Sequence, residues 1–223
     1  MAEPVHYSLA DGVATLRMDD GKANAFGHVM MQALSAALDR AAGEADITVI
    51  RGREGVLCGG FDLKVIRGDP SGVPALVNAG QDLLMKAWLH PQPLLIGVTG
   101  HAVAAGALLV LTADYRIGMD GDFRIGLNET AIGLTLPAFA IELAAARLDR
   151  RALTVATVGA RLYAPTDALD VGYLDQVAVP GNFDEALDAA AEQMKQLDKV
   201  AVAGVKQRLR GAAAARVAQG NSG

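Results

Sequence analysis

The chain has 223 residues, 52% hydrophobic and 20% charged, with a formal net charge of −5. That length suits one domain, and the acidic balance leaves no electrostatic footprint for nucleic acid. No apolar run approaches the ~18 residues that cross a bilayer, and the single cysteine, Cys58, excludes an internal disulfide framework.

Taken in chain order, "VHYSLADGVATLRMDD" reads as a hairpin, because two alternating segments flank the turn-forming pair Asp11-Gly12. The first residues, "MAEPVHYSL", carry no basic stretch followed by an apolar one, so the expected compartment is cytoplasmic. After "GKANAF", the spacing of Met30, Leu34, Ala37, Leu38 and Ala41 predicts a helix over 27–42. "ITVIRG" reads as a buried strand, 73–89 as a long helix, and "PLLIGVTG" as a second buried strand. A helix over 102–114 follows, and then "YRIGM" and "FRIGL" as a pair of short strands. Further helices are predicted over 138–147, 151–158, 165–170 and 183–197, with "YLDQVAV" as a brief strand between the last two.

Asn182 and Glu185 have capping-box spacing. "KQRLR" (206–210) is a local basic bias expected to be a solvated helix face, and the tail "AAAARVAQGNSG" is expected to fray. The repeated strand–strand–helix order points to an α/β fold. It divides the chain into a core over 1–197 and a short C-terminal helical segment over 198–223.

Several chemistries lack their motifs. There is no GxxxxGK[ST] loop, no GxGxxG after the first strand and no GxSxG elbow. The histidines (His6, His28, His90, His101) are scattered, and CxxC and HExxH are missing, so no metal site is expected.

Two glycine-rich turns are the informative features. "LCGGFDLK" follows the strand "ITVIRG", and "TGHAVAAGA" follows "LLIGV". Each sets small residues where a strand gives way to a helix, whose first N–H groups have no intrahelical acceptor. Two such turns side by side could hold one oxygen between two N–H donors. On the turns alone, the favoured reading is that these glycines only permit tight turns and close packing. A third feature is Glu129, a lone carboxylate within the apolar stretch "IGLNETAIGLTLP". It is either a buried base or a carboxylate satisfied by a backbone cap or by Arg124.

"LCGGFDLK", "PLLIGVTGHAVAAGALLVLTADYRIG" and "LYAPTDALDVGYLDQVAVP" together resemble the crotonase superfamily of enoyl-CoA hydratases and isomerases. "IGLNETAIGLTLP" is similar to the corresponding segment of mitochondrial-type Δ3,Δ2-enoyl-CoA isomerases. The resemblance implies a spiral superhelix of ββα units with a shortened C-terminal helical region, assembled as a homotrimer or a dimer of trimers. It implies an acyl-CoA thioester as substrate, with no cofactor beyond the substrate's own coenzyme A, no nucleic acid and no membrane.

Matched position by position, the resemblance gives the oxyanion-hole N–H groups to Gly59 and Ala105. The methyl of Ala105 narrows an approach that is usually lined by glycine. Ala23 and Lys64 fall on positions that hold the coenzyme A moiety. Leu108 stands in the substrate site where hydratases carry their first glutamate, and Glu129 matches the second. A single base is enough to move a proton from C2 to C4, and Leu108 would help keep water out. The implied activity is therefore Δ3-to-Δ2 isomerisation. Enoyl-CoA hydration and non-catalytic acyl-CoA binding are the alternatives. Burial is expected to raise the Glu129 pKa.

Bland roles are read for the rest. Cys58 is a small buried residue, Asp62 a helix cap and Trp88 a core residue. Asp114 is structural, Asp175 a surface or capping carboxylate, and His101 a residue that orients its loop.

Overall fold

Two ladders of strands, fed alternately by the chain, organise the protein. The computed structural model describes residues 3–68 and 70–220. β1 (Val5–Ala10) and β2 (Val13–Met18) form the antiparallel hairpin. They turn through Asp11 at φ +49° and Gly12 at φ +78°, the left-handed pair that tight hairpins require. α1 (His28–Glu44) buries Met30, Leu34, Ala37, Leu38 and Ala41, the stripe its periodicity predicts.

β3 (Ile47–Arg51) then lies parallel to β2, and β4 (Gly55–Cys58) leaves for a second sheet. After α2 (Leu63–Arg67) and α3 (Val73–Trp88) the pattern repeats. β5 (Leu94–Val98) joins β3 while β6 (Gly100–Val103) joins β4. α4 (Ala105–Thr112), β7 (Tyr115–Met119) and β8 (Ile125–Gly126) form the third round. With β9 (Gln176–Ala178), the sheets read β1-β2-β3-β5-β7-β9 and β4-β6-β8. Every pairing but the first is parallel. This is the α/β architecture that the ββα order implies.

All eight residues of α4 are buried, which suits a helix that is apolar on every side. On the large sheet, α8 (Phe183–Lys195) lays Phe183, Leu187 and Ala191 over Ile47, Val49, Leu95 and Ile117. Gly97 permits that contact, because a methyl group there would stand 3.1 Å from Leu187 Cδ2 and 3.2 Å from Phe183 Cζ. The remaining helices are α5 (Ala138–Arg147), α6 (Leu153–Thr157), α7 (Pro165–Asp170) and α9 (Lys199–Gly220).

"YRIGM" and "FRIGL" hold the two short strands expected, β7 in the six-stranded sheet and β8 in the three-stranded one. Three expectations need correction. The predicted helix over 102–114 begins three residues later, because β6 occupies its start. Asn182 makes no side-chain cap bond at the N-terminus of α8, so the capping box is not formed. The tail is helical through Gly220, while Asn221 to Gly223 lie outside the described residues.

"KQRLR" also differs from its reading as a solvated face. Lys206 and Arg210 lie on the inner side of α9 and are buried, 6% and 4% exposed. Both grip Asp114: Lys206 Nζ stands 2.5 Å from Oδ2 and Arg210 Nη2 2.7 Å from Oδ1. Lys206 Nζ also donates to the carbonyls of His90 and Gln92, and Arg210 Nη1 to that of Trp88. Asp114 accepts the Leu94 N–H as well, at 2.7 Å, so one carboxylate ties α9 to the start of β5. A positive run in the sequence hides this arrangement, because its counter-charge lies more than ninety residues earlier.

Breaking a buried ion pair from one side strands the other side in low dielectric. Asp114→Asn should therefore cost about 3–5 kcal/mol of unfolding free energy, measured by urea denaturation. A loss within error of zero would show that the carbonyl contacts alone hold Lys206 and Arg210.

Candidate functional site

The three strands of the small sheet are parallel, so their carboxyl ends share one edge. Open parallel sheets gather ligands at that edge. Beyond β4 come Gly59, Gly60 and Phe61; beyond β6 come Ala104 and Ala105; beyond β8 come Leu127, Asn128 and Glu129. The segments are joined directly, since the Ala104 N–H donates to the Gly126 carbonyl at 2.9 Å. A methyl group on Gly60 would stand 3.0 Å from Ala104 Cβ and 3.7 Å from Ala105 N. Gly60 has φ +98°, so the close approach and the left-handed backbone both call for glycine there.

Ala104 adopts φ +53° and ψ −122°, a region that costs a residue with a Cβ on the order of 1–3 kcal/mol. This strain lies immediately before Ala105, the first residue of α4, whose N–H has no intrahelical acceptor. Ala105 and Leu108 are fully buried on the first turn of α4.

The Gly59 part of the oxyanion expectation is corrected. Its N–H is already committed, donating to the Ala23 carbonyl at 2.8 Å. Phe61 differs. It forms a parallel bridge with Phe26, in which Phe26 N–H donates to Gly60 O and Asp62 N–H to Phe26 O. That pattern turns the Phe61 N–H away from the bridge, and among the described residues nothing accepts it. The Phe61 ring is fixed edge-on to Phe26, with centroids 6.4 Å apart, and presses on α3 at Gly80. Which of three consecutive N–H groups in "GGF" stays free is decided by this bridge, which no local motif announces.

Ala23 and Lys64 lie on the surface beside the turn. Ala23 is exposed next to Gly59, with its Cβ 3.2 Å from where a Gly59 methyl would be. The loop is held by Asn24, whose buried Nδ2 donates to the carbonyls of Met18 and Leu57. Lys64 is exposed in the first turn of α2, and Asp62 caps that helix by accepting the Lys64 N–H at 2.9 Å.

Glu129 is 9% exposed and opens the 3₁₀ turn Thr130–Ile132. Its carbonyl accepts the N–H groups of Ile132 and Leu134, and Gly133 at φ +77° closes the turn. Arg124 does not neutralise it, because that guanidinium bonds Asp122 at 2.7 Å. Among the described residues, Glu129 Oε2 has no hydrogen-bond partner. Burial pushes the carboxyl above its usual range, and the nearby Glu129 and Asn128 N–H groups only partly offset this. Asn128 Oδ1 and the Tyr173 hydroxyl, neither of which the sequence singles out, are likewise buried and unpaired.

The neighbours behave as structural parts. Burial pushes the Cys58 thiol up to about 12, so it is no thiolate nucleophile at neutral pH. His101 Nδ1 accepts the Arg124 N–H at 3.0 Å and so orients the strand beside it. Asp175 pairs with Arg116 at 2.7 Å, and Trp88 is buried. Among the described residues, no group of His, Cys, Asp or Glu is arranged to hold a metal ion, and no helix is long and apolar enough to cross a membrane.

Residues 8–221 match the family described as Enoyl-CoA hydratase/isomerase. The chain belongs to this family. A Pseudomonas syringae member of the enoyl-CoA hydratase/isomerase family superposes with a TM-score of 0.95 at 38% identity, covering 97% of this chain and 94% of the other. An enoyl-CoA isomerase from Mycobacterium tuberculosis gives 0.93 at 36% identity, covering 99% and 96%. Human mitochondrial enoyl-CoA delta isomerase 1 is 29% identical over 189 residues, 82% of this chain and 63% of its own length. The rat protein of the same name is 32% identical over 127 residues, 56% of this chain and 44% of its own length. The chain thus spans less than two thirds of either mammalian relative. A probable enoyl-CoA hydratase from Rhodobacter capsulatus is 29% identical over 91% of this chain and 79% of its own.

The raised pKa of Glu129 has a consequence for stability. A carboxyl whose folded-state pKa lies above its unfolded value stabilises the fold fully only below the unfolded value, and that contribution is lost as pH rises through the folded one. Glu129→Gln should therefore melt above the wild type at pH 8, and the gap should close as pH falls toward the ordinary value of 4.5. Calorimetry across that range is the check. A variant less stable at every pH would mean the carboxylate is favourably bonded.

Proposed function

We propose that this chain is an enoyl-CoA isomerase that moves a Δ3 double bond to Δ2 in an acyl-CoA thioester. The thioester oxygen lies between the N–H groups of Phe61 and Ala105, the pair free to donate at the sheet edge. Glu129 takes the proton from C2, and the electron pair moves into the thioester, giving a dienolate whose charge rests on that oxygen. The same carboxyl, now protonated, returns the proton to C4, which leaves the double bond between C2 and C3. Ala23 and Lys64, exposed beside the turn, contact the coenzyme A portion of the substrate.

The observation that carries this reading is the lone buried carboxylate. Adding water calls for a second acid or base, yet the α4 position that would carry one is Leu108, fully buried and apolar. Similarity to the human and rat proteins named enoyl-CoA delta isomerase 1 supports it further, whereas the M. tuberculosis protein is described both as an isomerase and as a probable hydratase. Hydration of 2-enoyl-CoA is the competing activity, in keeping with the name of the R. capsulatus relative. The chain is expected to act as a homotrimer or a dimer of trimers.

A paired assay separates the activities. One arm follows conversion of 3-enoyl-CoA to the 2-enoyl thioester, and the other follows hydration of 2-enoyl-CoA. Glu129→Gln should lower isomerisation by roughly 10²–10⁴-fold, the usual contribution of a positioned acid–base group. The base works ionised, so kcat/KM should fall on acidification, with its midpoint above the ordinary carboxylate range. Leu108→Glu should raise hydration at the expense of isomerisation. Dominant hydration by the wild type would overturn the proposal.

A further inference from the structure

Tyr173 is fully buried, and its hydroxyl has no hydrogen-bond partner among the described residues. Orphaned buried donors are rare and costly, so this one asks for an acceptor. Its surroundings name one. Tyr163 and Ile125 exchange two backbone hydrogen bonds, each 2.9 Å, which fixes Tyr163 against β8. The Tyr173 ring lies 5.8 Å from the Tyr163 ring, and its own N–H is anchored to the Ala168 carbonyl at 2.8 Å. Tyr173 thus stands where β8 runs out into Leu127, Asn128 and Glu129. On that segment, the buried Glu129 Oε2 is an acceptor without a donor. Burial first, then the charge of Tyr163, push the phenol of Tyr173 upward; the Leu127 N–H partly offsets this, and the charge of Glu129 adds to the rise, so the hydroxyl keeps its proton to donate.

We propose that Tyr173 is a positioning residue for Glu129, its hydroxyl donating a hydrogen bond to the ionised carboxylate in the working site. A turn of the Glu129 side chain or one bridging water closes the contact. With one oxygen held, the other is free to reach both C2 and C4. The inference rests on the isomerase reading for its purpose, though not for its physical content. Tyr163 is the further titratable group that acts on Tyr173; Arg161, 5.0 Å from the centroid of the Tyr163 ring, and Asp167 act in turn on Tyr163.

A donor to the charged form lowers a carboxyl pKa, so its removal raises it. In Tyr173→Phe the ring packing stays and only the hydroxyl goes. The ¹³C carboxyl resonance of Glu129, assigned by its loss in Glu129→Gln, should titrate about one pH unit higher than in the wild type. The acidic limb of the isomerisation profile should move with it while KM stays constant. Tyr163→Phe, which alters the same corner without touching the proposed donor, should leave the midpoint unchanged. An identical Glu129 midpoint in wild type and Tyr173→Phe would overturn the inference. A wild type that titrates as described but does not isomerise would overturn only the functional reading.

Discussion

The constraint on which the candidate site depends is the parallel register of three short strands. β4, β6 and β8 contribute four, four and two residues, too little to be stable alone. Their order nonetheless delivers three chain segments from distant parts of the sequence to one edge. The larger sheet makes this possible: its strands β3, β5 and β7 run one step ahead in each repeat and fix where the smaller strands begin. Packing of α4, buried on all sides, then locks the middle segment at its N-terminus.

Polar groups at this edge are left deliberately incomplete. Most buried donors and acceptors in a folded chain are matched, yet among the described residues the Phe61 and Ala105 N–H groups, a Glu129 carboxylate oxygen, the Asn128 amide oxygen and the Tyr173 phenol have no hydrogen-bond partner. Backbone strain at Ala104 belongs to the same pattern. On the proposed reading, these are the partners of a charge that forms only during the reaction, and holding them ready costs stability.

The helices and the large sheet were legible because burial imposes a period on the letters, as in the stripe of α1 or the β-branched run of β3. The small sheet was not, since "GVLC" and "GHAV" are glycine-containing segments whose extended form comes from neighbours rather than from propensity. Glu129 and the two turns could be picked out by composition and resemblance. That the Phe61 N–H stays free while that of Gly59 is bonded could not, because it depends on a bridge to Phe26 across thirty-five positions. Lys206 and Arg210 misled for a related reason: charge in a linear sequence says nothing of a counter-ion brought in by the fold.

The grip of α9 on Asp114 also bears on the order in which the protein is made. Asp114 leaves the ribosome nearly a hundred residues before Arg210. Until then, the start of β5 and the end of α4 are attached to a carboxylate with neither of its two cations. Strands and early helices can collapse as they emerge, but a buried carboxylate without its counter-charges opposes their close packing. The last helix acts as a clasp that closes only once α9 has been made. A chain that stops short of α9 lacks both cations for Asp114, and that carboxylate is then left in the core unpaired.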